Sequence, residues 1–147
     1  MIILDTDHMT VLQQPESQPA QVLAARLAAS FDRDIMSTAV TLEEQMRGWL
    51  ALLNRYRDVR QQSEYYDNLT EMLRFYNGWK LLGFDQAAGI KFLELKHLRP
   101  SIGPNDLKIA SVALTRNALL LTSNAKNFFS RVPGLRFEDW TIPQNPR

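Results

Sequence analysis

A short apolar run near the amino terminus stops abruptly at an acid. Ile2, Ile3 and Leu4 are followed directly by Asp5. Such a run is typical of a buried strand in a parallel sheet, and an acid after it lies at the carboxyl edge, where open α/β folds bind their ligands. Burying a carboxylate there is costly unless it is paired or binds a metal. The run therefore predicts an α/β fold with Asp5 at a ligand-binding edge, although Asp5 also suits the N-cap of the next helix.

Apolar stretches alternate with helical segments along the rest of the chain. In the segment from residue 41, Leu42, Met46, Trp49 and Leu53 recur at helical spacing. This alternation predicts a parallel sheet with helices on both faces, in a single domain of residues 1–147. The predicted strands are 2–4, 34–37, 79–84 and 118–124, with an edge strand at 135–137; the predicted helices are 7–13, 21–30, from 41, 60–77, 85–98 and 105–117, with a loop at 15–19.

Composition excludes several classes of protein. The chain has no cysteine, which rules out disulfides, thiolate zinc sites and a cysteine nucleophile. Its formal net charge of +1 gives no broad basic face for nucleic acid. No apolar segment approaches the roughly 20 residues that span a bilayer, and the first apolar run is too short for a signal peptide. We therefore expect a cytoplasmic protein that does not contact membranes.

A second acid follows a helix-start signal. Pro104 fixes φ, Asn105 suits an N-cap, and Asp106 comes next. Asp106 shares its helix face with Ile109 and Ala110, and the helix dipole would keep it ionised as a ligand. Simple support of the helix end is the alternative. If Asp5 and Asp106 share a cleft, the expected occupant is a hard divalent cation and the expected chemistry is phosphodiester hydrolysis.

Glu43 and Glu44 are distinguished by helix geometry. Glu43 lies beside Arg47 at i+4, as in an exposed ion pair. Glu44 lies in line with the small residues Gly48 and Ala51, which would let another backbone pack close to it. Glu44 is therefore the candidate for the cleft, and an exposed surface position is the alternative.

Two further polar residues lie near these acids in the predicted fold. Asn124 ends the fourth strand and offers a neutral carbonyl oxygen to a cation or a water. Asp7 offers a charge from the first helical turn, or else caps that helix. His8 and His97 have no histidine or cysteine at metal-ligand spacing, so we expect no zinc site.

The ordered set of motifs resembles the PIN-domain ribonucleases of the VapC toxin family. The first two motifs are LDTD at 4–7 and STAVTLEE at 37–44, with Gly48 beyond them. The third, IGPNDLKIA at 102–110, is an especially close match. The carboxyl-terminal end of the family is matched by LTSN at 121–124, Phe128, VPGL at 132–135 and EDW at 138–140.

This resemblance implies an α/β/α sandwich with about four to five short parallel strands and an endoribonuclease that depends on Mg²⁺ or Mn²⁺. By motif position, Asp5, Glu44 and Asp106 are the catalytic acids, with Asp5 and Asp106 as metal ligands and Asp7 and Asn124 as supporting residues. Many members carry a fourth acid where this chain has Asn124, so the number of cations stays open. The resemblance also implies a structured RNA substrate such as tRNA, a homodimer, and inhibition by a cognate VapB-type antitoxin, with no DNA contact of the chain's own.

Two alternatives compete with this interpretation. A catalytically degenerate binding module would keep the fold but not the turnover, and Asn124 is the reason to consider it. A haloacid-dehalogenase-type phosphatase would use Asp5 as its nucleophile. Against the phosphatase, Met9 stands where Thr or Val is expected, and no late pair of aspartates is present.

Overall fold

Five short parallel strands form the centre of the fold. The computed structural model describes residues 1–98, 101–124 and 129–143. The strands are β1 (Ile2–Leu4), β2 (Ile35–Thr38), β3 (Leu81–Leu82), β4 (Leu119–Leu121) and β5 (Arg136–Glu138), in the spatial order β3-β2-β1-β4-β5. Every pairing is parallel, and Ile3 lies opposite Met36 of β2 and Leu120 of β4. The first strand of the chain is therefore the central strand of the sheet.

Six helices connect and cover the strands. They are α1 (Thr6–Leu12), α2 (Gln18–Ala29), α3 (Ala39–Arg55), α4 (Val59–Asn77), α5 (Gln86–Leu98) and α6 (Pro104–Thr115). The predicted α/β architecture with a parallel sheet is confirmed. None of the described helices has both the length and the apolar character needed to cross a bilayer.

Alternation along the strands divides the core into two parts. Ile3 and Leu120 pack with the buried residues of α5 and α6 on one face. Ile2, Leu4 and Leu121 face the other way and pack with α2 and α4. Because successive side chains of a strand point to opposite faces, three adjacent apolar residues suffice to fill both layers.

Most element boundaries lie within one to three residues of the sequence prediction, and three of the differences are informative. Helix α2 begins at Gln18 rather than 21, because the Ser17 hydroxyl caps it and Pro19 fits its first turn. Helix α6 begins at Pro104 with Gly103 as its N-cap, so the prediction that Asn105 is the N-cap was wrong. Strand β3 pairs over only Leu81–Leu82, shorter than the apolar run at 79–84.

Candidate active site

The acidic residues converge at the carboxyl ends of β1 and β4. The chain leaves β1 towards β2 on one side, while β4 and β5 lie on the other. In open α/β sheets, a crevice opens where the connections diverge in this way, and ligands bind there. Asp5 directly follows β1 and Thr122 directly follows β4. The topology therefore places these two side chains at the position where a ligand is expected.

Asp5 is a buried acid that also caps a helix. Its side chain is 4 % exposed. One oxygen accepts the N–H of Thr6, at 2.7 Å, and the other accepts the Thr122 hydroxyl, at 2.9 Å. Burial, and next the charge of Asp7, raise the pKa of Asp5 to about 7, although both hydrogen bonds act to lower it. Asp5 is therefore both the N-cap of α1 and a residue of the cleft.

Glu44 reaches the same cleft from α3. The neighbouring Gln45 ties α3 to α1, because its amide lies 2.8 Å from the Thr10 hydroxyl. The Glu44 Oε1 atom is buried and makes no well-formed hydrogen bond within the described residues, although the Thr6 hydroxyl, which is also buried and unpaired, is near enough to lower the Glu44 pKa. Burial, and next the charge of Asp106, raise the pKa of Glu44.

The sequence argument for Glu44 was only partly right. The predicted ion pair between Glu43 and Arg47 is present. The expected close backbone contact at Gly48 was wrong, since a Cβ there would meet nothing within 4 Å. Glu44 is half-buried as a residue, and its Oε1 atom is fully buried.

Asp106 lies in the first turn of α6, as predicted. It is half-buried, and a Cβ placed on Gly103 would lie 3.6 Å from its Oδ2 atom. Burial, and next the charge of Asp7, raise the pKa of Asp106. Asp5, Glu44 and Asp106 are therefore within electrostatic reach of one another or of Asp7, and each has its charged form disfavoured.

Asp7 differs from the other acids because hydrogen bonds occupy both of its oxygens. Oδ1 accepts the backbone N–H of His8 at 2.6 Å and lies 2.9 Å from His8 Nδ1, while Oδ2 accepts the N–H of Ser123 at 2.7 Å. Burial acts to raise the pKa of Asp7, but these hydrogen bonds outweigh it and leave the pKa below its usual value. The alternative that Asp7 is the N-cap was wrong, because Asp5 holds that position.

Asn124 lies at the edge of the cleft. It is exposed, and its backbone N–H donates to the Thr122 hydroxyl at 3.1 Å. The prediction that Asn124 ends the fourth strand was wrong, because β4 ends at Leu121 and Asn124 lies three residues beyond it.

Three residues of the site were missed by sequence reasoning. Thr122 hydrogen-bonds Asp5, and His8 hydrogen-bonds Asp7. Tyr76 of α4 has a buried hydroxyl without a partner in the described structure. Burial, and next the charges of Glu44 and Asp5, raise the pKa of Tyr76 far above its usual value. Two local signals were available in the sequence: His8 directly follows an acid, Asp7, and Thr122 directly follows the apolar run of β4.

The arrangement fits a hydrated divalent cation better than a fully protein-ligated one. No three acidic or histidine side chains gather at metal-binding spacing within the described ranges. Mg²⁺ keeps several waters and commonly uses only one or two carboxylates, so it does not need such a group. The described ion pairs leave Asp5, Glu44 and Asp106 without a cationic partner. Burial, and next the repulsion between the acids, raise the pKa values of Asp5 and Glu44, and a bound cation would offset both effects.

Comparison with known proteins identifies the family. The PIN domain family matches residues 2–135. The chain belongs to the PIN-domain family. Ribonuclease VapC1 of Haemophilus influenzae strain R2866 is 30% identical over 142 residues, covering 95% of this chain and 97% of that protein. Within PIN-domain proteins, the chain is thus one of the VapC ribonucleases, and the phosphatase alternative is not supported.

Two further comparisons concern shorter or more distant similarity. A protein of Salmonella typhimurium described as tRNA(fMet)-specific endonuclease VapC is 34% identical over 77 residues, covering 50% of this chain and 58% of that protein. The structure of VapBC-1 from nontypeable Haemophilus influenzae matches this PIN-domain chain with a TM-score of 0.75 at 23% identity, covering 97% of this chain and all of that one. The latter similarity establishes the fold.

Proposed function

We propose that this PIN-domain protein is an endoribonuclease that depends on Mg²⁺ or Mn²⁺ and hydrolyses phosphodiester bonds of RNA. The observation that carries the proposal is the Glu44 Oε1 atom, which is buried without a well-formed hydrogen bond, while the charge of Asp106 acts on the same carboxylate. An unsatisfied buried carboxylate oxygen is unfavourable unless a cation or its waters complete it. We therefore assign the catalytic role to Asp5, Glu44 and Asp106.

Asp5 and Asp106 would hold the cation. When bound, the cation would lower the pKa of a coordinated water and neutralise charge on the scissile phosphate. Asp5 is held in place on both oxygens, by the N–H of Thr6 and the hydroxyl of Thr122, so its orientation is set before the cation arrives. Asp106 is presented by the first turn of α6.

Glu44 suits the role of general base better than Asp7 does. A raised pKa makes a carboxylate a stronger proton acceptor near neutral pH, and the pKa of Glu44 is raised while that of Asp7 is lowered. Both oxygens of Asp7 already accept hydrogen bonds, whereas Glu44 Oε1 makes no well-formed hydrogen bond in the described structure. Asp7 then supports the site by position, and Asn124 by its place at the rim.

The substrate that we propose is a structured RNA such as tRNA. The name of the Salmonella relative supports this choice. A net charge of +1 also favours recognition by RNA shape over general affinity for the phosphate backbone.

Two protein partners complete the proposal. A cognate VapB-type antitoxin, for which the VapBC-1 complex is the support, would inhibit by placing a cationic side chain among the acids. A second copy of the chain would contact the exposed parts of the helices between residues 41 and 77, where Leu50, Val59, Tyr66 and Leu73 are exposed. A cytoplasmic location and the absence of a DNA contact by this chain stay predictions.

The test is cleavage of total cellular RNA by the purified full-length chain with Mg²⁺, Mn²⁺ or EDTA. Asp5→Asn and Asp106→Asn remove charge from the site, and Asp67→Asn, on the exposed side of α4, is the matched control. We expect discrete cuts that require the metal and disappear only in the two site variants. End-mapping of the fragments then identifies the substrate.

A negative result has a defined meaning. If folded protein shown to be free of antitoxin cuts no RNA with any metal, the endoribonuclease proposal fails. The degenerate binding module then becomes the better explanation, and Asn124→Asp tests whether restoring the fourth acid restores turnover.

A further inference from the structure

A buried histidine connects the carboxyl-terminal segment to the acidic cleft. His8 lies on α1 with no exposed surface. Its Nδ1 atom lies 2.9 Å from Asp7 Oδ1, and its Nε2 atom lies 3.2 Å from the backbone nitrogen of Trp140. One imidazole therefore contacts an acid of the site and a residue 132 positions away.

These contacts fix the proton arrangement of the imidazole. The N–H of Trp140 can only donate, so Nε2 accepts and Nδ1–H donates to Asp7. Asp139 Oδ1 lies 3.5 Å from Nε2, but it already accepts the backbone N–H and the hydroxyl of Thr141, at 2.9 and 2.6 Å. That separation is too long to compete with the Trp140 contact. His8 thus directs Nδ1 at Asp7 and Nε2 at the backbone of Trp140.

Asp7, oriented by His8, in turn binds the segment that follows β4. With Oδ1 facing His8, its Oδ2 atom accepts the N–H of Ser123 at 2.7 Å and lies 3.4 Å from the Thr122 hydroxyl. The same hydroxyl donates to Asp5 and accepts the N–H of Asn124. The orientation of Asp7 therefore determines where residues 122–124 lie relative to Asp5.

The other side of His8 is also anchored. Arg26 of α2 donates to the carbonyl oxygens of Asp139 and Ile142, at 3.1 and 3.3 Å. Its guanidinium lies 4.8 Å from the centroid of the Trp140 ring, within range of a cation–π interaction. Trp140 is thus held in place independently of His8. Its backbone N–H is therefore a hydrogen-bond donor of fixed position for the imidazole.

We propose that His8 is a positioning residue of the acidic site: it orients Asp7 through Nδ1–H, and Asp7 in turn holds the backbone of Ser123 and the hydroxyl of Thr122. The metal-dependent consequence of this role rests on the proposed function. The structural consequence, protection of the Ser123 amide by Asp7, does not.

Two substitutions separate the contacts of His8. In His8→Asn, the amide nitrogen replaces Nδ1 and keeps the donor to Asp7, while the acceptor for Trp140 is lost. In His8→Gln, the amide oxygen replaces Nε2 and keeps the acceptor for Trp140, while the donor to Asp7 is lost. His97→Gln, at an exposed position of α5, is the control.

Three quantities are measured for each full-length variant: hydrogen exchange of the Ser123 amide by NMR, the Kd for Mn²⁺ by calorimetry, and Tm. We expect His8→Gln to speed Ser123 exchange and weaken Mn²⁺ binding by about 10-fold or more, with little change in Tm. We expect His8→Asn to lower Tm while keeping Ser123 protection and the Mn²⁺ affinity.

Unchanged Ser123 exchange in His8→Gln would overturn the inference, as would losses in both variants that simply follow Tm. If the wild-type chain binds no Mn²⁺, the proposed function fails on that measurement. The exchange of Ser123 then decides the role of His8 by itself.

Discussion

At the scale of single residues, Asp5 shows how one carboxyl group serves both the fold and the candidate site. It caps α1 through the N–H of Thr6, and the charges of Asp7 and Asp106 act on it in the cleft. The same burial that makes it a good cap disfavours its charged form. A cation would relieve this cost, so stability and metal binding are linked at this residue.

The first prediction concerns pH. The pKa of Asp5 is about 7 in the folded protein against an ordinary 3.8, so between these values the folded chain keeps a proton that the unfolded chain has released. The free energy of unfolding without metal therefore falls as pH rises through this window, by up to about 1.4 kcal/mol per pH unit. Urea unfolding in EDTA measures this slope, which should be much smaller in Asp5→Asn.

The second prediction concerns the hydroxyl of Thr122. Thr122→Val keeps the shape but leaves an oxygen of the buried Asp5 unpaired, which should lower the free energy of unfolding by about 1–3 kcal/mol. Thr122→Ser retains the donor and should lose much less. Equal losses in the two variants, measured by urea unfolding, would show that the methyl group matters and the hydrogen bond does not.

The sequence predicts the acids of the site better than their partners. Asp5 and Asp106 follow from a strand end and a helix start, which are local patterns. Thr122 follows a strand and His8 follows an acid, but the contact of Thr122 with Asp5 and that of His8 with Trp140 span 117 and 132 positions, and no local pattern encodes these two pairings. Glu44 was assigned to the cleft partly for an incorrect reason. A backbone was expected to pack close beside Gly48, but the space there is open.

At the scale of secondary-structure elements, the start of α3 determines the place of Glu44. The Thr38 side chain accepts the N–H of Thr41 at 3.0 Å and is fully buried. Strand β2 ends at this same residue, so the helix leaves the sheet with no intervening loop. The sequence predicted both elements but not this direct junction, because Thr38 suits a strand and a cap equally.

The third prediction compares two helix caps. Thr38→Val removes the cap of α3, and Asp58→Ala removes the cap of α4, where Asp58 accepts the N–H of Arg60 at 2.9 Å. Each should cost about 1 kcal/mol in urea unfolding. Only Thr38→Val should also weaken Mn²⁺ binding, because only α3 carries Glu44. Equal effects of both variants on the Mn²⁺ affinity would contradict this assignment.

At the scale of the whole molecule, the sheet separates two apolar layers. Ile2 belongs to the layer under α2 and α4, and Ile109 belongs to the layer under α5 and α6. The sequence predicted helices on both faces from the uninterrupted apolar strands. It did not indicate which helix covers which face, since that depends on the order in which the strands pair.

The fourth prediction tests this separation. Ile2→Val and Ile109→Val should each lower the free energy of unfolding by about 0.5–1.5 kcal/mol. The double variant should lose their sum to within about 0.5 kcal/mol, because the two side chains share no neighbours across the sheet. A larger deviation from this sum, measured by urea unfolding, would mean that the packing of one layer depends on that of the other.

The central position of β1 has a consequence for the synthesis of the protein on the ribosome. A ribosome adds Thr122, the hydrogen-bond partner of Asp5, 117 residues after Asp5 itself. At roughly 5–20 residues per second, the nascent chain spends about 6–23 s with Asp5 lacking the Thr122 hydroxyl. The hydrogen bonds that orient Asp5 are therefore completed only after β4 has been synthesised, and a nascent chain that has not reached Thr122 does not carry a finished site.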